Sequence, residues 1–271
     1  MSSAYPDLFK GTAPYYARYR PGYPDAMIVH IVERFGLDGT GRLLDLGCGT
    51  GQLLIPLAPY VETVIGMDPE PEMLAEAERV ADKAGVTNAV WIEGGSLDVE
   101  RLRDRLAPLR LTTIGSAFHW MDGDATLTAL GSMTVDGGGV VQSGGPCDVW
   151  NGQRDWQVAV RDIIRRWLGE SRRAGSSTYA ASSDRVPWSE GSLFARSPFS
   201  RIEYQRVACT RQLDIDEVVG YLYSTSFASP PVLGERRASF ERDLRETLAA
   251  VSESGPFEED LIFDTYLAWK E

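Results

Sequence analysis

The run Asp45-Leu46-Gly47-Cys48-Gly49-Thr50-Gly51 puts one carboxylate and three glycines into a single short stretch. Glycines there let the backbone turn tightly and come close to a ligand, where a side chain would intrude. Asp68 follows 23 residues after Asp45. At the end of a second strand, such a carboxylate can accept hydrogen bonds from both hydroxyls of a ribose. The chemistry is that of a nucleoside-containing ligand. A nicotinamide site wants G-x-G-x-x-G, whose last glycine lets a helix approach a pyrophosphate. Here Gln52 stands in that place and an acid, Asp45, opens the run. A carboxylate suits the positive sulfonium and zwitterionic amino acid of S-adenosylmethionine (SAM) better than it suits a diphosphate.

A second set of residues could act on an acceptor. His119 has an ordinary pKa near 6.5, which would suit removing a proton from a hydroxyl or an ammonium. Asp122 and Asp124 lie beside it. Trp120, Trp150, Trp156 and Tyr221 are candidates to wall an acceptor pocket, since aromatic faces bind sugar rings and cations. Packing of a lid onto the core would use the same tryptophans. His30 reads as structural. The acidic run Glu258-Glu259-Asp260 with Asp264 reads first as a solvated face.

These residues need strands and helices to hold them. Met27, Ile28, Ile31, Val32 and Phe35 give Asp25–Phe35 the spacing of an amphipathic helix. Strands are predicted over 42–46, 63–67, 90–93, 111–117 and 139–143, with helices over 51–59 and 71–84, the latter ending at Gly85. After Pro146 the spacing predicts a tryptophan-rich helix over 150–168, a polar loop over 172–188, and a strand over 202–213. Helices over 214–223 and 240–251 and a strand over 261–269 follow. The alternation predicts an α/β fold. Its core is a Rossmann-like, seven-stranded, mostly parallel sheet with helices on both faces and a lid insertion after the fifth strand. Residues 1–145 are read as the SAM-binding core with its N-terminal approach segment and 146–198 as the lid that binds the acceptor. Residues 199–271 are read as completing the sheet and pocket.

The DLGCGTG run from Asp45, Gly66-Met67-Asp68-Pro69, Glu93-Gly94-Gly95-Ser96-Leu97-Asp98 and Ser116-Ala117-Phe118-His119-Trp120-Met121-Asp122 fall at four successive strand ends. Together they resemble the class I SAM-dependent methyltransferases, in particular the small-molecule group related to trans-aconitate methyltransferase. Tyr15-Tyr16 and Tyr19-Arg20-Pro21-Gly22-Tyr23-Pro24 resemble that group's N-terminal segment, so the likeness spans roughly residues 12–145. It implies that Gly47, Cys48 and Gly51 present backbone to the methionine part and that Asp68 holds the ribose. Pro69 and Met73 would pack near the adenine, and Ser96 and Leu97 would meet its edge. Tyr16 and Arg20 would cover the cofactor, with Arg20 pairing its carboxylate, and Ala117 would lie beside the methyl group. Gly95 departs from the acid frequent there.

Composition narrows the acceptor. The 271 residues carry a net charge of −12, which repels phosphate backbones and tolerates a cationic small molecule. No Asn/Asp-Pro-Pro-Tyr run of the kind used on nucleobase amines follows Gly115. Three cysteines without C-x-x-C spacing and two histidines indicate neither a disulfide framework nor a metal site. No apolar run of about 20 residues spans a bilayer and Met1–Lys10 has no signal-peptide core, so a cytoplasmic protein without membrane or nucleic-acid partners is expected. The reading favours N-methylation of an amine on a cationic natural product such as an aminoglycoside, in antibiotic biosynthesis. O-methylation of a hydroxyl or carboxylic acid remains open, because Arg154, Arg161, Arg165, Arg166, Arg172 and Arg173 fall in the lid. So does a SAM-binding protein without transferase activity.

Overall fold

The computed structural model describes residues 9–144, 152–174, 177–180, 190–253 and 255–271. Two helices lead in, α1 (Ala13–Tyr19) and α2 (Asp25–Phe35), the second closed by Gly36 in the left-handed conformation. Then come β1 (Arg42–Leu46), α3 (Leu54–Leu57), β2 (Thr63–Asp68), α4 (Pro71–Lys83) and β3 (Ala89–Glu93). They are followed by α5 (Arg103–Leu106), β4 (Leu109–Gly115), α6 (Gly123–Met133) and β5 (Thr134–Ser143). Beyond the insertion point lie α7 (Asp155–Leu168), β6 (Ser171–Ala174), β7 (Ser177–Ala180) and α8 (Glu190–Ala195). The chain returns through β8 (Arg201–Leu213), α9 (Ile215–Tyr223), α10 (Pro230–Leu233), α11 (Arg237–Val251) and β9 (Phe257–Trp269).

Seven strands form one sheet in the order β3-β2-β1-β4-β5-β9-β8. The first five run parallel; β9 lies antiparallel to β5, and β8 antiparallel to β9. Parallel strands covered on both faces must be apolar on both faces, and the chain obeys: Leu43, Val64 and Leu111 face one layer with α2 and α3, while Leu44, Ile65 and Ile114 face the other with α5 and α6. A third apolar cluster gathers Trp156, Val160, Tyr221, Phe240 and Phe257 from α7, α9, α11 and β9, with Tyr15 and Tyr19 of α1 packed on it. β8 and β9 pair along 13 residues, whereas β9 pairs with β5 only over Thr265–Trp269. This antiparallel pair therefore outruns the sheet towards that third cluster.

Two expectations need correction. Residues 172–188 are not wholly loop, because Ser171–Ala174 and Ser177–Ala180 pair as an antiparallel hairpin; 181–189 lie outside the described residues. The helix expected over 51–59 is one α-turn, Leu54–Leu57, followed by a 3₁₀ turn, Ala58–Tyr60. Pro59 lacks the N–H that would have continued the α-helical ladder.

Candidate active site

Strand order reverses between β1 and β4, with β2 and β3 on one side and β5 on the other. Ligands of open α/β sheets bind outside the strand ends at such a switch point, and here the two described cavities meet. The larger, about 490 Å³, is lined from Phe9 and Tyr16 across Gly47, Asp68 and Met73 to the 93–98 loop, Ser116, Ala117, Trp120 and Met121. Its size suits a small-molecule site. A smaller recess of about 30 Å³ opens beneath Tyr16, Arg20, Pro21 and Tyr23 and is floored by Asp45, Gly47 and Cys48. Tyr16, Gly47, Gly115 and Ser116 line both.

The glycine turn is held from below. The Gly47 and Cys48 amides both donate to the Met67 carbonyl, at 2.7 and 3.1 Å. Gly47 has φ +75°, and a Cβ there would stand 2.6 Å from that of Ala117, so two independent constraints require glycine. One oxygen of Asp68 accepts from the Gly49 amide and the other from the Glu70 amide, each at 2.9 Å. The carboxylate thus ties the turn to the start of α4 while facing the larger cavity.

Burial pushes Asp68 up to about 6, against those two amides. Asp45 is buried more completely, and burial, aided by the charge of Asp68, pushes it up to about 7 although Thr113 donates to it at 2.8 Å. Burial also raises the Cys48 thiol. Together the acids give the site a standing demand for positive charge.

Ser116 directly follows β4 with φ +53°, a strained value for a residue other than glycine, and its amide donates to the Ser143 carbonyl. Tyr23 shares a hydrogen bond with the Ser116 side chain, and loss of water raises its phenol above the ordinary tyrosine range.

The structure gathers most of the residues expected from sequence. Tyr16, Gly47, Asp68, Pro69, Met73, Ser96, Leu97, Ala117 and Trp120 line the larger cavity; Arg20, Asp45 and Cys48 line the recess. Gly51 lies behind the turn, against Ile55. His119 follows Phe118 in a 3₁₀ turn, its ring 4.7 Å from that of Trp120, and does not belong to either cavity lining. Asp122 caps α6, accepting from the Ala125 amide. Trp156 is buried in the third cluster and donates from Nε1 to the Glu258 carbonyl at 2.9 Å. Tyr221 is buried on α9 beneath Arg20. Trp150 lies outside the described residues. Among the acids near the C-terminus, Glu258 and Asp260 pair with Arg154, Glu259 with Arg211 and Asp264 with Arg206.

Sequence reasoning did not single out Phe9, Glu93, Arg101, Ser116, Met121 or Tyr23 as site residues. Glu93 ends β3 and Ser116 follows β4, both strands already recognised, so position at a strand's C-terminal end was the usable signal. Phe9 and Tyr23 reach the cavities only through the path of the leading segment.

A doubly wound sheet with a glycine turn after β1 and an acid at the end of β2 is the Rossmann-like arrangement in which nucleotide-type ligands bind. Residues 43–138 match the family described as "Methyltransferase domain". An uncharacterised methyltransferase-like protein of Schizosaccharomyces pombe is 26% identical over 81% of this chain and 77% of its own. An uncharacterised methyltransferase of Mycobacterium bovis is 24% identical over 88% and 86%. The SAM-dependent methyltransferase of Thiobacillus denitrificans, solved with S-adenosyl-L-homocysteine, shares the fold across the whole of both chains at TM-score 0.53 and 16% identity. With these likenesses the chain is a SAM-dependent methyltransferase, and SAM is its cofactor. Among the described residues, no helix is long and apolar enough to cross a membrane.

Proposed function

We propose that the chain methylates an amine on a cationic small molecule, of which an aminoglycoside is an example. The observation that carries this reading is the aromatic end of the larger cavity, beyond the part given to the nucleoside. The cavity's only described guanidinium, Arg101, is paired with Asp98 at 2.8 Å and offers no clamp for an anion. Phe9, Tyr16 and Trp120 supply that aromatic end, a surface that attracts cations. A carboxylate acceptor would want arginines there. Four of the six lid arginines are engaged elsewhere: Arg154 with Glu258 and Asp260, Arg166 with Asp243, Arg165 with Asp162 and Glu170, and Arg161 with the Gly152 carbonyl; the side chains of Arg172 and Arg173 lie outside the described residues. Residues 146–198 act, in this reading, as a cover for the acceptor.

In this reading Asp68 accepts from the ribose hydroxyls, Pro69 and Met73 flank the adenine, and Ser96 and Leu97 meet its edge. Gly47 and Cys48 offer backbone to the methionine part, Gly51 shapes the turn, Asp45 faces the cationic end, and Arg20 pairs with the carboxylate beneath Tyr16. Bound SAM supplies an electrophilic methyl group on a sulfonium. The chain's part is to place the acceptor nitrogen's lone pair in line with the breaking S–C bond, so that positioning supplies much of the rate. The nitrogen sheds its proton to solvent or to a base at the rim, and Ala117 and Trp120 wall the path.

The test is transfer of labelled methyl from SAM to two panels, amino sugars and polyamines against di- and tricarboxylic acids. Label in the amines is expected; label in the acids alone would overturn the reading.

A further inference from the structure

Arg20 is gripped on three sides. Its guanidinium lies 4.9 Å from the centre of the Tyr16 ring and 4.9 Å from that of Tyr221. Its Nε donates to the Ser224 hydroxyl at 2.9 Å, and a terminal nitrogen donates to the Ser224 carbonyl at 3.3 Å. Tyr221 and Ser224 belong to α9 and the residue that ends it, more than two hundred positions away in the chain, and both are buried. Behind Tyr221 stands another cation, Arg211 of β8, 5.9 Å from the ring centre. Arg211 pairs with the buried Glu259 at 2.6 Å and donates to the Tyr19 carbonyl at the end of α1. Gly220 completes the fit, since a Cβ there would run into the Tyr19 ring. Arg211, Tyr221, Arg20 and Tyr16 therefore form one stack of alternating cations and rings, running from the β8–β9 strand pair to the edge of the cofactor recess.

We infer that Tyr221 and Ser224 are positioning residues that set the Arg20 guanidinium for the cofactor's amino-acid carboxylate. The inference rests on the assignment of Arg20 under the proposed function. It gives α9 a task that α7 and α11 do not share: stabilising one half of the cofactor while touching none of it. An arginine carries much side-chain entropy, and fixing its planar fork beforehand removes that cost from binding.

Calorimetry with the intact protein and two ligands separates the possibilities: SAM, and 5′-methylthioadenosine, which has the same nucleoside and sulfur but no amino acid. Tyr221→Leu is expected to weaken SAM about tenfold, the scale of one desolvated cation–ring contact, and to leave methylthioadenosine within about twofold. Tyr221→Phe keeps the ring and should retain SAM affinity. Ser224→Ala, a smaller disturbance, should give the same ligand-selective loss at about threefold. Tyr221→Leu added to Arg20→Ala should cost nothing more, because contacting residues are not additive. Equal weakening of both ligands, unchanged SAM affinity in Tyr221→Leu and Ser224→Ala, or full additivity would overturn the positioning role. Unchanged SAM affinity in Arg20→Ala would instead remove the underlying assignment of Arg20.

Discussion

Asp45 and Asp68 keep their protons more tightly in the folded protein than in the unfolded chain, Asp45 at about 7 and Asp68 at about 6. The stability linked to such raised values is complete below the unfolded carboxylate range and is lost as pH rises through 6 and 7. Lowered acids such as Asp98 and Asp264 act in the opposite sense, but at lower pH. The Tm of the cofactor-free protein is thus expected to fall between about pH 5 and 8, and Asp45→Asn should flatten that slope. A cation beside Asp45 favours the ionised form. SAM affinity should therefore rise from about pH 5.5 to 7.5, with proton release measurable by calorimetry in buffers of different ionisation enthalpy. Asp68→Ala should weaken SAM more than tenfold, through loss of charged hydrogen bonds worth roughly 1.5–3 kcal/mol each; unchanged affinity would remove Asp68 from the ribose. His119→Ala should leave SAM affinity intact and change turnover at saturating SAM by less than about threefold, since His119 belongs to neither cavity lining. A fall of the size expected for a general base, about a hundredfold or more, would assign proton removal to His119.

At the scale of elements, the glycine turn after β1 is the most constrained. Gly47→Ala meets both a left-handed backbone and the Ala117 side chain. It is expected to abolish measurable SAM binding and lower the Tm, whereas Gly95→Ala, with only Pro69 at 4.0 Å, should lower it little; thermal melts with and without SAM decide. The difference also marks how much of the site was legible in the sequence. β1 and α2 have the limits expected, because their apolar residues follow one clear period and α2 ends at a glycine. The strands β2 to β5 begin or end a few residues away, where burial at strand tips depends on neighbours rather than on local pattern. α1 was not legible as a helix: its sequence, APYYARY, has only Ala13 buried, and its aromatics face α9 and the cavities. The β6–β7 hairpin escaped because four-residue polar strands carry no burial period. Trp156 and Tyr221 were legible as important aromatics, but only three-dimensional packing shows them inside the third cluster, away from both cavity linings.

For the molecule as a whole, a net charge of −12 predicts electrostatic steering of a cationic acceptor. The kcat/KM for amine acceptors should fall as salt is raised from about 20 to 300 mM, as the Debye length shrinks through about 10 Å; a flat salt profile would detach the charge from substrate capture. The sheet itself has a different kind of consequence. β9 follows every other described element along the chain, yet it lies between β5 and β8, with its last residue, Trp269, stacked on Phe35 of α2. Synthesis runs from the N-terminus, so the nucleoside-binding half can be assembled while the slot beside β5 still waits for its occupant. On the ribosome, β8 has no neighbour through which to join the sheet until β9 has emerged, and the stack that ends at Tyr16 is anchored in that same pair of strands. Birth of the enzyme is therefore a closing act: the strand made after all these elements is the wedge between β5 and β8.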